Sequence, residues 1–495
     1  MELQIPNWLE KRAEITPKRT ALIFENQSYT FEQIFQLSSK VARQLTMMGI
    51  KKGTMTAVLL SNHVDSVVIL YALQMLGSKT VILNNRLTLE ELKWQIDDSR
   101  ASYVVTEKDL SFKLKSELID QQVVEKEVLF LLPEGEVKLQ ADYDLNEITT
   151  IMYTSGTTGK PKGVIQTYGN HWWSATASAL NLGLSEEDCW LCSVPIFHIS
   201  GYSILMRSLI YGMPVVLHKG FDVEKVLEEI HIHRVTIMSV VSTMLLRINE
   251  ELGEKNLPSS FRCMLLGGGP APISLLQSCK SKGIPVFQSY GMTETASQFA
   301  TLSPEYSFTK LGSAGKPLFP NQIKVVDENK QELPRTREGE IIVKGPNVTI
   351  GYLHREDATK KAIYDGWLHT GDIGYLDEEG FLYVLDRRAD LIISGGENVY
   401  PAEIEGALLS HPNVLDAGVI GVKDEIWGQI PIAFIVKREN TPTTEKDFID
   451  YCQQKLAKYK VPKTVYFIKE LPRNASKKLL RRELRTWVEK EYRTK

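Results

Sequence analysis

At 495 residues the chain is too long for one ordinary domain, and 43% hydrophobic with 24% charged residues is the composition of a globular protein with a sizeable core. A formal net charge of −3 excludes bulk attraction to nucleic acid. The odd, low count of 5 cysteines argues against a disulfide scaffold and for a reduced, cytoplasmic chain, and Met1-Glu-Leu-Gln4 does not read as a signal segment.

In chain order, Thr30-Phe-Glu-Gln33 has the form of a capping box opening a helix, with Ile34, Leu37, Val41 and Leu45 on one face. Residues 57–60 predict a buried strand, 64–76 a helix and 80–83 the next strand. That helix is the most apolar early stretch, but it carries Asp65 and is too short to span a bilayer, so no membrane association is expected. The alternation continues with a strand at 215–217, a helix near 223–233, a strand over 235–240, another over 262–266 ending in Gly267-Gly-Gly269, and one at 284–287. Such alternation predicts an α/β fold of parallel-rich sheets covered by helices. From about Gly312, short strands at 323–326, 340–343 and 381–385, with turns such as Asp377-Glu-Glu-Gly380, predict a β-rich subdomain over about 312–388. Residues 389–495 form a further, small α+β unit. From Lys455 onward it carries fourteen Lys and Arg against four Glu, which reads either as a solvated basic face or as a lid closing over phosphates.

Chemistry concentrates in a few stretches. In Ile151-Met-Tyr-Thr-Ser-Gly-Thr-Thr-Gly-Lys-Pro-Lys-Gly-Val164 an apolar run ends a strand and a loop follows. Gly156 and Gly159 let its backbone approach a ligand. Thr154, Ser155, Thr157 and Thr158 supply hydroxyl donors, and Lys160 and Lys162 supply positive charge. The loop suits a polyphosphate, yet Pro161 follows Lys160 where a Walker A loop has Ser or Thr. In Gln288-Ser-Tyr-Gly-Met-Thr-Glu-Thr295, read as following a strand, Tyr290 suits stacking on a base and Thr293 suits a phosphate. Glu294 suits Mg2+, a hard cation that takes carboxylate and phosphate oxygens. Leu368-His-Thr-Gly-Asp372 puts an acid after a tight turn, where it would bridge two ribose hydroxyls. Cys189 and Cys192 make a lone C-x-x-C without a second pair at zinc spacing, so no metal or redox role is expected of them.

Together and in this order, with the joint Asp386-Arg-Arg-Ala389, these motifs closely resemble the adenylate-forming superfamily over essentially the whole chain. The resemblance implies an N-terminal adenylation domain over 1–388 and a mobile C-terminal lid over 389–495. The hinge would lie at Arg388 and Ala389, with Ala where the family has Asp or Lys. It implies ATP, Mg2+ and coenzyme A, with a small carboxylic acid as the other substrate. Thr154, Ser155, Gly156, Thr157, Thr158, Gly159, Lys160 and Lys162 would hold the β- and γ-phosphates. Gly268, Gly269 and Pro270, with Ser289, Tyr290 and Gly291, would frame the adenine. Thr293 would meet the α-phosphate, Glu294 with Thr154 the Mg2+, and Asp372 with Arg387 the ribose. Counting from Pro472 places the family's C-terminal lysine at Lys478, with Lys477 where glycine is usual. Ser394, Gly395 and Gly396 would let the pantetheine arm of coenzyme A pass.

Val194-Pro-Ile-Phe-His-Ile-Ser-Gly201 matches the family's acyl-pocket motif and assigns His198, Ser200 and Gly201 to the acid. Near His198 there is no counterpart to the Asp that holds an amino acid's ammonium, so a free amino acid is not expected. Arg207, nine residues on in an apolar helix, reads either as the partner of a second substrate carboxylate or as a helix-end cation reaching solvent. Trp172 and Trp173 read as packing residues. The stretches Gln166-Thr-Tyr-Gly-Asn-His171, Leu266-Gly-Gly-Gly-Pro-Ala-Pro272 and Pro472-Arg-Asn-Ala-Ser476 resemble the branch of the superfamily that ligates 2-succinylbenzoate to coenzyme A in menaquinone synthesis. Whether the chain forms a homo-oligomer is left open.

Overall fold

The computed structural model describes residues 4–115, 121–154, 161–269, 271–306, 308–387, 390–394, 397–424, 427–438, 442–456, 458–473 and 479–492. Outside them lie Ser155, Gly156, Thr157, Thr158, Gly159, Lys160, Pro270, Arg388, Ala389, Gly395, Gly396, Lys477 and Lys478 among the residues singled out above.

Two large sheets form the body. The first is six-stranded, in the order Lys162–Thr167, Ile148–Thr154, Lys79–Ile82, Met55–Leu59, Tyr103–Thr106, Gln122–Glu125. All its pairs are parallel except the terminal hairpin, where Lys162 faces Thr154. The second is nine-stranded. Its parallel centre runs Val286–Met292, Cys263–Leu266, Ile237–Val240, Trp190–Cys192, Val215–Leu217, Thr20–Phe24, with antiparallel strands at both edges.

The helix Val64–Leu76 shows why these layers hold. Every residue in it except Asp65 is buried, so it is a core helix, apolar all round. The His63 side chain accepts the Asp65 N–H at its start, and Gly77 closes it at φ +70°. The Tyr71 hydroxyl donates to the Leu205 carbonyl at 3.1 Å, tying it to the helix Ile199–Tyr211. The helix Phe31–Met47 has the expected capping box from Thr30 and Gln33. Its buried face is centred on Ile34, Ser38, Val41, Ala42 and Leu45, and Leu37 is exposed. At 100° per residue Leu37 lies over 80° from the centre of that stripe, at its margin.

An antiparallel sheet of Gln322–Val326, Gly339–Lys344, Trp367–Leu376, Ile363–Tyr364 and Leu382–Arg387 follows. The last unit has a sheet built on the hairpin Val414–Asp424 and Gly428–Lys437. Its side chains alternate between two cores. Val419, Ala433 and Ile435 join Phe448 and Ile404 on one face, while Ile420, Ile432 and Phe434 pack under Leu484 and Val488 of the helix Arg481–Tyr492 on the other. This unit touches the rest through the Tyr400 hydroxyl, which donates to Glu338 at 2.5 Å, and through Arg438 with Glu250 at 2.9 Å. No helix among the described residues is long and apolar enough to cross a membrane.

Candidate active site

The C-terminal ends of adjacent parallel strands are where open α/β sheets receive ligands, because chain turns there leave a crevice lined by backbone N–H groups. Here Leu266 pairs with Gln288, so the Gly267-Gly268-Gly269 turn and the run Ser289-Tyr290-Gly291 emerge side by side. Contrary to the sequence reading, Gln288–Met292 does not follow a strand but forms the end of the strand Val286–Met292. The Ser289 hydroxyl donates to the Leu266 carbonyl at 3.0 Å and fixes the spacing. Gly268 has φ +83°, a left-handed conformation that favours glycine. At Gly291 the register shifts, and a Cβ would lie 1.9 Å from the Ser297 carbonyl oxygen.

Tyr290 and Asp372, 82 residues apart, meet: the buried phenol donates to Asp372 Oδ2 at 2.8 Å. Asp372 lies inside the strand Trp367–Leu376, not in a turn, and faces Arg387 across the sheet. The tight feature predicted before it is Gly371, at φ +71°, whose N–H goes to Glu340. The Asp372 carboxylate is thus buried, with one oxygen engaged by a neutral donor.

Thr293–Thr295 is a single 3-10 turn, followed by Ala296 at φ +49° and Ser297 at φ +105°. Such backbone persists only where neighbours over-determine it. Gln166 Nε2 donates to the Thr293 carbonyl at 2.8 Å, Asn347 Nδ2 to that of Thr295 at 2.9 Å, and the Ser174 hydroxyl to that of Ala296 at 2.7 Å. The N–H of Thr349 donates to the Glu294 carbonyl at 2.7 Å, and the Tyr352 hydroxyl to Glu294 Oε1 at 3.1 Å. Gln166 sits on the strand that leaves the phosphate-type loop, so the loop's exit and the Thr293-Glu294 turn are held together. Thr154 and Lys162 face each other at the mouth of that loop, with Lys162 Nζ 5.1 Å from the centre of the Tyr352 ring. Glu294 and Thr154 offer oxygen donors of the kind Mg2+ takes, alongside the oxygens of a bound triphosphate. Among the described residues no group of three or more His, Cys, Asp and Glu stands together as a metal cage.

The turn also reaches the acyl-pocket motif. His198 stands at the N-cap position of the helix Ile199–Tyr211, its ring set edge-on 4.6 Å from that of Phe197, and Ser200 is exposed in the first turn. At Gly201 a Cβ would come within 2.3 Å of the Pro195 carbonyl oxygen, so only glycine lets the helix start there. Arg207 is 1% exposed, which excludes the helix-end cation reaching solvent. It donates from Nη1 to Ser203 Oγ at 3.2 Å and from Nη2 to Ser297 Oγ at 3.3 Å, and lies 5.1 Å over the Trp190 ring. Its Nε has no hydrogen-bond partner among the described residues. Burial pulls its pKa below the ordinary arginine value, opposed by the Tyr211 phenol. His198, at the N-cap, and Arg207 are nine residues apart, about 13 Å of rise along the helix axis between their backbones.

Ser394 is buried in the small unit, where it pairs with Gly428. Arg473 and Leu479 form an antiparallel bridge on either side of residues 474–478, and Arg473 is bound bidentately by Asp416 at 2.7 and 2.9 Å. Trp172 packs against Trp8, as expected of a packing residue. The Cys189 and Cys192 thiols are buried, and burial pushes each up to about 12, far from thiolate chemistry. The sequence reading missed Ser297, Tyr352 and Asn347, and gave Gln166 no role beyond its place in a resembling stretch. Their roles rest on contacts with residues tens to over a hundred positions away, which no local spacing announces.

The AMP-binding enzyme family matches residues 9–353, and the AMP-binding enzyme C-terminal domain matches residues 403–478. A 2-succinylbenzoate–CoA ligase from Geobacillus sp. (strain WCH70) is 56% identical, over 99% of this chain and 98% of that protein. The structure of o-succinylbenzoate CoA synthetase from Bacillus subtilis in complex with the acyl-adenylate intermediate OSB-AMP superposes with a TM-score of 0.93 at 50% identity, covering 97% of this chain and 98% of that one. The same Bacillus subtilis enzyme in complex with ATP and magnesium ion gives a TM-score of 0.93 at 50% identity, covering 98% and 100%. The architecture is the adenylate-forming fold. By motif order, fold and full-length similarity, the chain belongs to the AMP-binding enzyme family.

Proposed function

We infer that this chain is an ATP-dependent acid–CoA ligase of menaquinone biosynthesis. It converts 2-succinylbenzoate, through an acyl-adenylate, to 2-succinylbenzoyl-CoA with release of pyrophosphate and AMP. The observation that carries the reading is the position of Ser297. It lies three residues past Glu294 in the nucleotide turn, and its hydroxyl holds the buried Arg207 of the acyl-pocket helix. Nucleotide and acid recognition therefore share one strained turn. The similarity to 2-succinylbenzoate–CoA ligases over the full length supports the identity of the acid.

The chemistry follows from the groups. A carboxylate is a poor electrophile, and attack on the α-phosphorus of ATP turns it into a mixed anhydride with AMP as leaving group. Negative charge grows on the α-phosphate and the departing pyrophosphate. The loop donors from Thr154 to Lys162, the Thr293 hydroxyl and Lys478 oppose that charge. Mg2+, when bound at Glu294 and Thr154, supplies further positive charge to the phosphate oxygens. One Asp372 oxygen accepts from the ribose hydroxyls while Tyr290 holds the other, and Arg387 donates to the ribose oxygens. Gly268, Gly269 and Pro270 frame the adenine with Tyr290. Thiol attack then takes place at the same carbonyl, with the Ser394-Gly395-Gly396 stretch passing the pantetheine arm.

Arg207 serves the benzoate. A buried guanidinium among hydroxyls and an indole is an expensive arrangement, since desolvating a charge costs several kcal/mol unless an anion compensates. A substrate carboxylate supplies that anion. Activation then falls on the succinyl carboxylate, at the His198 end. Arg207→Met, which removes the charge but keeps the length, is expected to fold at least as stably as the parent. It is expected to raise KM for 2-succinylbenzoate about tenfold or more, with KM for ATP unchanged. Steady-state AMP release on the two substrates checks this. An unchanged acid KM removes Arg207 from the site.

A further inference from the structure

The segment Thr349-Ile-Gly-Tyr-Leu353 lies outside every motif assigned to ATP, yet it touches two of them. Its backbone is fixed along one strand. The N–H of Leu353 donates to the Gly163 carbonyl at 2.8 Å and that of Ile165 to the Gly351 carbonyl at 3.0 Å, and these two bonds make the isolated antiparallel bridge between Tyr352 and Val164. The Tyr352 N–H donates to Thr359 Oγ1 at 2.9 Å. Gly351 takes φ +144°, and a Cβ there would meet Thr359 at 2.6 Å, so the chain can pass only with glycine before the tyrosine. The ring is thereby delivered to one place. Its hydroxyl donates to Glu294 Oε1 at 3.1 Å, and its face lies 5.1 Å from Lys162 Nζ.

We propose that Tyr352 is a positioning residue for the metal–phosphate end of the ATP site, holding the Glu294 carboxylate through its hydroxyl and the Lys162 ammonium through its ring. The proposal rests on the reading that Glu294 takes the metal and Lys162 a phosphate. A carboxylate held by a neutral donor keeps its full charge while its orientation is fixed, so little freedom is lost when a cation arrives. The ring's negative face keeps the ammonium at the loop mouth before the phosphates come.

Two variants of the full chain separate these contacts. Tyr352→Phe keeps the ring and loses the hydroxyl, and Tyr352→Leu loses both. Mn2+ affinity in the presence of a non-hydrolysable ATP analogue is read from the loss of the free Mn2+ paramagnetic resonance signal. The Kd for Mn2+ is expected to rise about three- to tenfold in Tyr352→Phe, with KM for the acid and coenzyme A unchanged. In Tyr352→Leu, KM for ATP rises as well. If Tyr352→Leu does not fold, Tyr352→Phe alone carries the test. An unchanged Mn2+ Kd in a folded Tyr352→Phe overturns the proposal, whatever its melting temperature. Glu294→Gln tells the two layers apart. If it too leaves Mn2+ binding intact, the assignment of the metal to Glu294 falls. If it weakens binding and Tyr352→Phe does not, only the role of Tyr352 falls.

Discussion

Two glycines in the nucleotide crevice are under opposite constraints. Gly291 has no room: a Cβ would sit 1.9 Å from the backbone of Ser297, and backbone cannot swing aside. Gly269 has open space around it, with nothing within 4 Å of where a Cβ would stand. Gly291→Ala is therefore expected to cost about 2 kcal/mol or more in urea unfolding, the scale of overpacking a tight site. Gly269→Ala is expected to leave stability unchanged and yet raise KM for ATP, since the space it fills is the space assigned to adenine. Unaltered ATP kinetics in Gly269→Ala would move the base elsewhere. The Tyr290 phenol, beside these glycines, is more than the base-stacking surface that its residue type suggests, because it also orients Asp372, the residue proposed for the ribose.

The hairpin of Ile148–Thr154 and Lys162–Thr167, with the helix Tyr168–Leu182 after it, carries a buried polar chain. Thr150 Oγ1 donates to Gln166 Oε1 at 2.9 Å and lies 2.8 Å from His171 Nε2. Burial, then the nearby Arg207 charge, pushes His171 down to about 3. An unfolded histidine titrates near 6.5, so between about pH 6.5 and 3 the unfolded chain binds a proton that the folded one refuses. The stability His171 contributes is present above about pH 6.5 and falls as pH drops, by about 1.4 kcal/mol per unit. His171→Gln is expected to flatten the dependence of unfolding free energy on pH between about 6 and 4 by close to one proton. An unchanged slope would contradict a neutral, buried His171. At this scale the sequence is informative where elements are self-contained. Val64–Leu76 reads correctly to the residue because an apolar run, interrupted only by Asp65, Ser66 and Gln74, ends at a glycine. The end of the strand Ile148–Thr154, the capping box at Thr30 and the β-rich run from Gln322 are legible for similar local reasons, while the return strand Lys162–Thr167 is not. Leu37 reads wrongly because apolarity alone does not tell the centre of a stripe from its margin. The Glu294–Tyr352 and Arg207–Ser297 contacts, 58 and 90 residues apart, are fixed only by how the sheets stack.

Across the molecule, the parts proposed for catalysis come from both units of the chain. The loop after Ile148–Thr154 and the turn at Thr293–Thr295 belong to the large body, while the stretch bracketed by Arg473 and Leu479 belongs to the small unit. Tyr400 with Glu338 and Arg438 with Glu250 join the two, and the second pair is exposed, a pairing that contributes little. Under the proposed function the small unit acts as a lid that presents Lys478 for the first half-reaction and withdraws it for the second. Lys478→Ala is expected to slow adenylate formation about 10²–10³-fold while still passing a supplied acyl-adenylate to coenzyme A, and equal loss of both steps would reject that division. The most direct measurement is a single-turnover reaction followed by mass spectrometry. Enzyme, ATP, Mg2+ and 2-succinylbenzoate without coenzyme A are expected to yield 2-succinylbenzoyl-adenylate and pyrophosphate, and adding coenzyme A is expected to turn the adenylate into 2-succinylbenzoyl-CoA and AMP, with benzoate and octanoate giving neither product at comparable rates. Release of ADP, absence of the adenylate, or an equal yield from octanoate would contradict it.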